Sequence, residues 1–260
     1  MVYRKALFVL VFVVVAAASA LFIPSQAVAG EADKTILMFV PDTDWPPYLI
    51  SDPQYPGAGV LVDVLKAVAE PLGYTIETKR LPNKRGWMLL NKRNVDVHAK
   101  ALEWVKNPDE YLWTDSFMMN EDVMLYSAAS KLKYTKPEDM YGKTIVCIDG
   151  FFYPVLEEHF GPGKINKVCV SSPYAMLELV DLGRVDAALV NRGGTQWLFR
   201  NRLELKPERF RMDDTAFDSA GYRYLFANDE SWQPFIGKFN RELKAMKKDG
   251  RLKAILDQYR

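Results

Sequence analysis

Apolar and polar positions alternate along the chain in two different rhythms that succeed one another in a fixed order. KTILMFV (34–40) is a nearly unbroken apolar run, followed by the turn-rich PDTDWPPYLI (41–50). GVLVDVLKAVAEPLG (59–73) carries apolar residues at helical spacing and closes on Gly73. YTIETKRL (74–81) reads as a strand. NKRGWMLLNKR (83–93) reads as a helix with Asn83 as a candidate cap, and VDVHAKAL (95–102) as a strand again. This β-α-β-α-β order predicts a parallel sheet with crossover helices. After the extended run NEDVMLYSAAS (120–130) the pattern restarts. KTIVCIDG is strand, FYPVLEEHF helix, NKVCVSS strand, PYAMLELVDLG helix, VDAALV strand and NRGGTQWLFRN helix. GYRYLFAND (221–229) adds a strand, and the tail from 231 to 260 predicts two amphipathic helices split at Gly250.

The two halves share a written unit. LLNKRNVDVHAKALEW (89–104) and LVDLGRVDAALVNRGG (179–194) both end an apolar helix on a tight basic turn, then Val-Asp, then a mostly apolar strand. Asp96 and Asp186 start the two strands. Parallel sheets bind ligands beyond the carboxyl ends of their strands. Two such units, joined by two extended crossovers and facing each other, predict one cleft between them and closure about a hinge.

The first residues stand apart from this pattern. Arg4 and Lys5 precede the apolar ALFVLVFVVVAAASALFI, Pro24 breaks the run, and AVAG (27–30) offers a small-residue cleavage site. The expectation is a signal peptide over 1–29, with Gly30 as the mature N-terminus; a retained membrane anchor is the other reading. Cleavage would remove two of the 34 basic residues, leaving 32 against 33 acidic ones, a net charge of −1. That balance gives no electrostatic case for nucleic acid. The only two cysteines, Cys147 and Cys169, fall in strands joined by one helical segment. In an exported chain they read either as a disulfide or as two packed thiols.

Taken together, WPPYLI, the Gly-x-x-x-Asp helix starting at Gly59, DMYGKTIVCIDG, LVDLGRVDAALVN and the closing FNRELKAMKKDGRLKAILDQY resemble the periplasmic solute-binding proteins of amino-acid ABC transporters, bacterial extracellular solute-binding protein family 3. The resemblance spans essentially the whole chain after the leader. It implies an α/β, type II two-lobed binding-protein fold, each lobe a mostly parallel sheet with flanking helices. One lobe would comprise 30–121 plus 227–260 and the other 122–226, with hinge strands at 122–127 and 221–226. It implies a periplasmic monomer that is not inserted in the membrane after cleavage, uses no cofactor, and has a small-molecule ligand and an ABC permease as partners.

The family grips an amino acid with an aromatic ring from the Pro-Pro loop, an arginine after the third strand and a carboxylate ending the Asp-Ala strand. Here Tyr48, with Trp45 beside it, matches the ring, either as cleft wall or as packing at the lobe edge. The arginine is absent near Pro108, and the nearest cation, Lys106, reads as a solvated residue. The carboxylate is replaced by Asn191, which offers neutral hydrogen bonds. Phe151 and Phe152 follow Gly150 where the family has a small hydroxyl residue. Lys100, Ala101 and Glu103 match its strand contacts, and Arg85 matches a Pro-x-x-Arg pattern or is simply an exposed helix residue. His98 reads as a packed strand histidine. With both charge partners altered, standard α-amino acids are expected to bind poorly, and an aromatic or modified solute better. No catalytic motif is present. The enzymatic alternative is a cyclohexadienyl dehydratase-like lyase with Glu103 as its acid; a further one is delivery of ligand to a sensor.

Overall fold

A computed structural model describes residues 34–53, 55, 57–202 and 204–259. The expected leader lies outside them. No helix among the described residues is long and apolar enough to cross a membrane.

The first unit runs β1 (Lys34–Pro41), α1 (Val60–Ala69), β2 (Tyr74–Leu81), α2 (Asn83–Asn91), β3 (Val97–Ala101) and β4 (Tyr111–Trp113). The second follows the long β5 (Met118–Ser127) with β6 (Thr144–Ile148), β7 (Asn166–Val170), α3 (Pro173–Asp181), β8 (Ala187–Asn191), α4 (Arg192–Asn201) and β9 (Phe210–Met212). The long β10 (Asp218–Ala227) and the helices α5 (Gln233–Asp249) and α6 (Arg251–Asp257) complete the chain. Strands order β2-β1-β3-β10-β5-β8-β6-β7 in one sheet, with β4 on β10 and β9 on β5. β1 is parallel to β2 and β3, and β6 is parallel to β7 and β8. Only the long strands cross between units. Tyr222 to Phe226 of β10 pairs with β3, while its first half, from Asp218, pairs with β5; Asp122 to Leu125 of β5 then pairs with β8.

The written unit has a structural reason. After α2 the chain turns and Asp96 reaches the neighbouring strand: Leu37 N–H donates to Asp96 Oδ2 at 2.7 Å, and Asp96 N–H to Leu37 O at 2.9 Å. After α3, Asp186 does the same with Thr144, at 2.7 and 2.8 Å. Each aspartate ties its strand to the adjacent parallel strand, at Leu37 within β1 and at Thr144 at the start of β6, where an amide would otherwise lack a partner.

Two local expectations differ from what is found. Asn83 does not cap α2; Pro82 precedes it, its fixed φ leading into the helix, and Asn83 is already helical. FYPVLEEHF forms only a 3-10 turn at Glu157–His159. Its apolar residues serve as separate plugs: Tyr153 and Leu156 are buried in the second unit's core beside Ile145 and Ile165. The tail forms two helices as expected, broken at Gly250 with φ 87°.

Candidate functional site

A cavity of about 400 Å³ opens where β3, β6 and β8 end, beside the middle of β5. Trp45, Trp104, Phe151 and Tyr222 supply much of its wall. Of the charged side chains that line it, Asp52, Arg202 and Glu204 are exposed at its margin and Asp44 pairs with Arg80; Lys100 and Asp122 are the two of opposite sign set deeper in it. Lys100 sits one residue before the end of β3, its Nζ 4.8 Å from the centre of the Phe151 ring. Burial pushes its ammonium pKa down, and the nearby Asp122 partly restores it. Asp122 lies on β5 between two register partners, Asn191 of β8 and Asp218 of β10. Burial pushes its carboxyl up to about 7; the Asn191 amide and Lys100 work against this, and Asp218 adds to it. The two groups act on each other electrostatically, and both border the cavity.

Asn191, the last residue of β8, is fully engaged. Its Oδ1 accepts from Gly194 N at 2.9 Å, which caps α4, and lies 2.7 Å from Tyr48 Oη. Its Nδ2 donates to Asn120 Oδ1 at 2.5 Å and to Glu121 O at 3.2 Å, with Asp122 Oδ1 at 3.5 Å. Tyr48 Oη also stands 3.1 Å from Asn120 Oδ1, so its one proton is shared between two amide oxygens. Burial holds that phenol neutral by raising its pKa. Gly193 is needed where Tyr48 crosses: a Cβ there would stand 2.5 Å from the Tyr48 hydroxyl. Tyr48, Asn120 and Asn191 thus form a neutral clasp between the Pro-Pro loop and the ends of β5 and β8.

A family model for bacterial extracellular solute-binding proteins, family 3, matches residues 37–260. The chain belongs to this family. No curated protein matches it in sequence. Among solved structures it is similar to a histidine kinase sensor domain with similarity to periplasmic binding proteins, at 22% identity, 87% of this chain, 96% of that one and a TM-score of 0.71. It is also similar to the GluR0 ligand-binding core in complex with L-glutamate, at 13% identity, 88% and 99% coverage and a TM-score of 0.70. A mutant of ArgBP from T. maritima aligns at 16% identity, 86% and 94% coverage and a TM-score of 0.68. At these identities the likeness establishes the periplasmic-binding-protein-like α/β fold.

For this family 3 protein, the cavity gathers Trp45, Lys100, Phe151, Phe152 and Asn191 from the residues singled out in the sequence. It does not gather the others. Tyr48 is 3% exposed and turned from the cavity wall into the clasp, bordering a groove with Met118 and Gly193 instead. Ala101 is buried within the sheet. Glu103 falls in a 3-10 turn where strand alternation ends; Trp104 turns inward and Glu103 outward, 3.4 Å from Arg223. Arg85 is exposed on the first turn of α2, whose buried residues are Gly86 and Leu90. His98 is packed as expected, its Nδ1 3.0 Å from Phe39 O and its pKa lowered to about 3 by burial. Lys106 is exposed. Cys147 and Cys169 are free thiols, not bridged, with their sulfurs 3.2 Å apart. Among the described residues no group of three His, Cys, Asp or Glu side chains could hold a metal.

Sequence reasoning missed Asp122, Trp104 and Tyr222. Asp122 carries no local motif, and its position at the cavity follows from register. Asn191 is its partner across β5 and β8, so a carboxylate stands one strand over from the end of β8.

Proposed function

We propose that this family 3 protein captures a small solute carrying separated positive and negative groups on a flat apolar body, an aromatic or modified amino acid being the type. The observation that carries this is the pair Lys100 and Asp122 facing one aromatic-walled cavity. Closing protein over a charged solute strips its water, and an unpaired charge then costs several kcal/mol. In this reading the solute's ammonium meets Asp122, and Lys100 faces the solute's anionic group. Lysine offers a point charge in place of a guanidinium fork, so selectivity rests more on the aromatic walls.

In this reading the protein is exported, cleaved before Gly30, and works as a periplasmic monomer that delivers its solute to an ABC permease. Residues 30–121 with 227–260 form one lobe and 122–226 the other. They close about the crossing strands at 122–127 and 221–226. The structural likeness to a histidine kinase sensor domain makes a sensor the alternative recipient. A thermal-shift screen of standard amino acids, modified amino acids and aromatic acids tests the solute class. Stabilisation by compounds carrying both charges supports it, and stabilisation only by singly charged acids contradicts it.

One observation favours a second reading. A cavity carboxyl raised to about 7 suits a general acid, and Asp122 fills that part of a dehydratase-like mechanism far better than the exposed Glu103. Incubation with prephenate separates the two: turnover abolished in Asp122→Asn establishes the enzyme, and no turnover leaves the binder.

A further inference from the structure

Cys147 of β6 and Cys169 of β7 are directly opposite each other in parallel register. Neighbouring strands run ~4.8 Å apart, within the separation that a disulfide spans. The two sulfurs already stand 3.2 Å apart. Their access differs. Cys147 is fully buried in the second unit's core with Tyr153 and Leu156. Cys169 is exposed on β7, the outermost strand on that side of the sheet.

We propose that Cys147 and Cys169 form a redox-modifiable dithiol, oxidised by small or protein disulfides that attack is possible on only through Cys169. The exposed Cys169 thiol gives its proton to solvent, and the thiolate attacks one sulfur of an external disulfide. A mixed disulfide forms and one external thiolate leaves. Cys147 then loses its proton and attacks the Cys169 sulfur, forming the internal bond and expelling the second external thiolate. Two protein thiols are oxidised, one external disulfide is reduced to two thiols, and the two protons end on those thiols.

The environment sets this order. Burial, together with the hydrogen bond to Cys169, pushes the Cys147 thiol up to about 12, which makes it a poor first nucleophile. Lys167 favours the Cys147 thiolate, and Asp149 opposes it. The internal step needs no diffusion, because the partner sulfur is already adjacent. The bond would also staple the sheet edge behind the cavity. Ile148 follows Cys147 directly, donates its N–H to Tyr153 Oη at 3.3 Å, and both residues line the cavity.

The test uses the reduced full chain in native buffer with glutathione disulfide, followed by intact mass and acid-quenched peptide mapping. The wild type is expected to lose two hydrogens and retain no glutathione, with a transient adduct on Cys169 at early times. Cys147→Ala should hold a stable adduct on Cys169, and Cys169→Ala should react at least about tenfold more slowly. Two titratable thiols left in the wild type after this exposure would overturn the proposal. So would an early adduct on Cys147. Mapping the wild type decides the order of attack even where a variant fails to fold.

Discussion

The two strand units of the protein are built alike up to their last residues, and there they part. In the first, Arg93 N–H bonds Leu90 O at 2.9 Å and Asn94 N–H bonds Leu89 O at 2.8 Å. In the second, Gly183 and Arg184 repeat these bonds to Val180 and Leu179 at 3.0 and 2.9 Å. Arg93 and Gly183 both occupy left-handed backbone, φ 57° and 64°. Asp96 and Asp186 then tie down the same kind of strand start. At the far end the first unit presents Lys100 to the cavity, while the second ends on Asn191, which is consumed by the clasp. The frame is duplicated and the chemistry is not. Beside Asn191, on the neighbouring strand, stands the carboxyl of Asp122.

Breaking that division of labour should give the largest effect. Asp122→Asn removes the charge and keeps the shape, and Lys100→Met does so on the other side. Truncating one partner of a buried charge pair costs about 2 kcal/mol or more. Each is therefore expected to weaken binding of a doubly charged solute by about 30-fold or more, measured by calorimetric titration. Asn191→Asp should fail to rescue Asp122→Asn, because residue 191 is held by Tyr48 and Gly194.

The duplicated frame can be broken next. Asp186→Ala leaves the Thr144 amide without its charged acceptor and should cost about 1.5–3 kcal/mol in denaturant unfolding. Asp96→Ala should cost less, since burial of the Asp96 carboxylate, seen in its raised pKa, offsets part of what its bond to Leu37 contributes. Equal losses would remove the distinction between the two units.

The turns sharpen the comparison with the smallest changes. Gly183→Ala puts a side chain into left-handed backbone at a cost of about 1–2 kcal/mol. Arg93→Gly relieves that strain but loses the bond from Arg93 Nη2 to Asn228 O at 2.6 Å, so its net change should stay within about 1 kcal/mol.

Much of the fold was legible because its signals are local. Apolar runs marked β1, β6 and β8, helical spacing marked α1, α3 and α5, and the Val-Asp repeat marked equivalent strands. The short β4 and β9 were not legible, since three residues carry no period and both exist only by pairing with long strands. The site was half legible. Trp45, Lys100, Phe151 and Asn191 lie near strand ends, where position alone points to a ligand. The sequence leaves Tyr48 open between cleft wall and packing because a motif fixes where a loop begins but not which way a ring turns. Asp122 was invisible for a different reason: its meaning arises from register across three strands, β8, β5 and β10, that are far apart in sequence.

The most direct test of the account is the affinity of the best-stabilising solute in wild type and Asp122→Asn, from about pH 5 to about pH 8. Below about 7 Asp122 is mostly protonated in the empty cavity and must lose its proton before it pairs with an ammonium. Wild-type affinity should therefore rise with pH, by up to about tenfold per unit, and level off above about 7. The variant should bind weakly and without that slope. A wild-type affinity independent of pH, or a variant that binds as tightly as the wild type, would contradict the assignment of Asp122 as the solute's counter-charge.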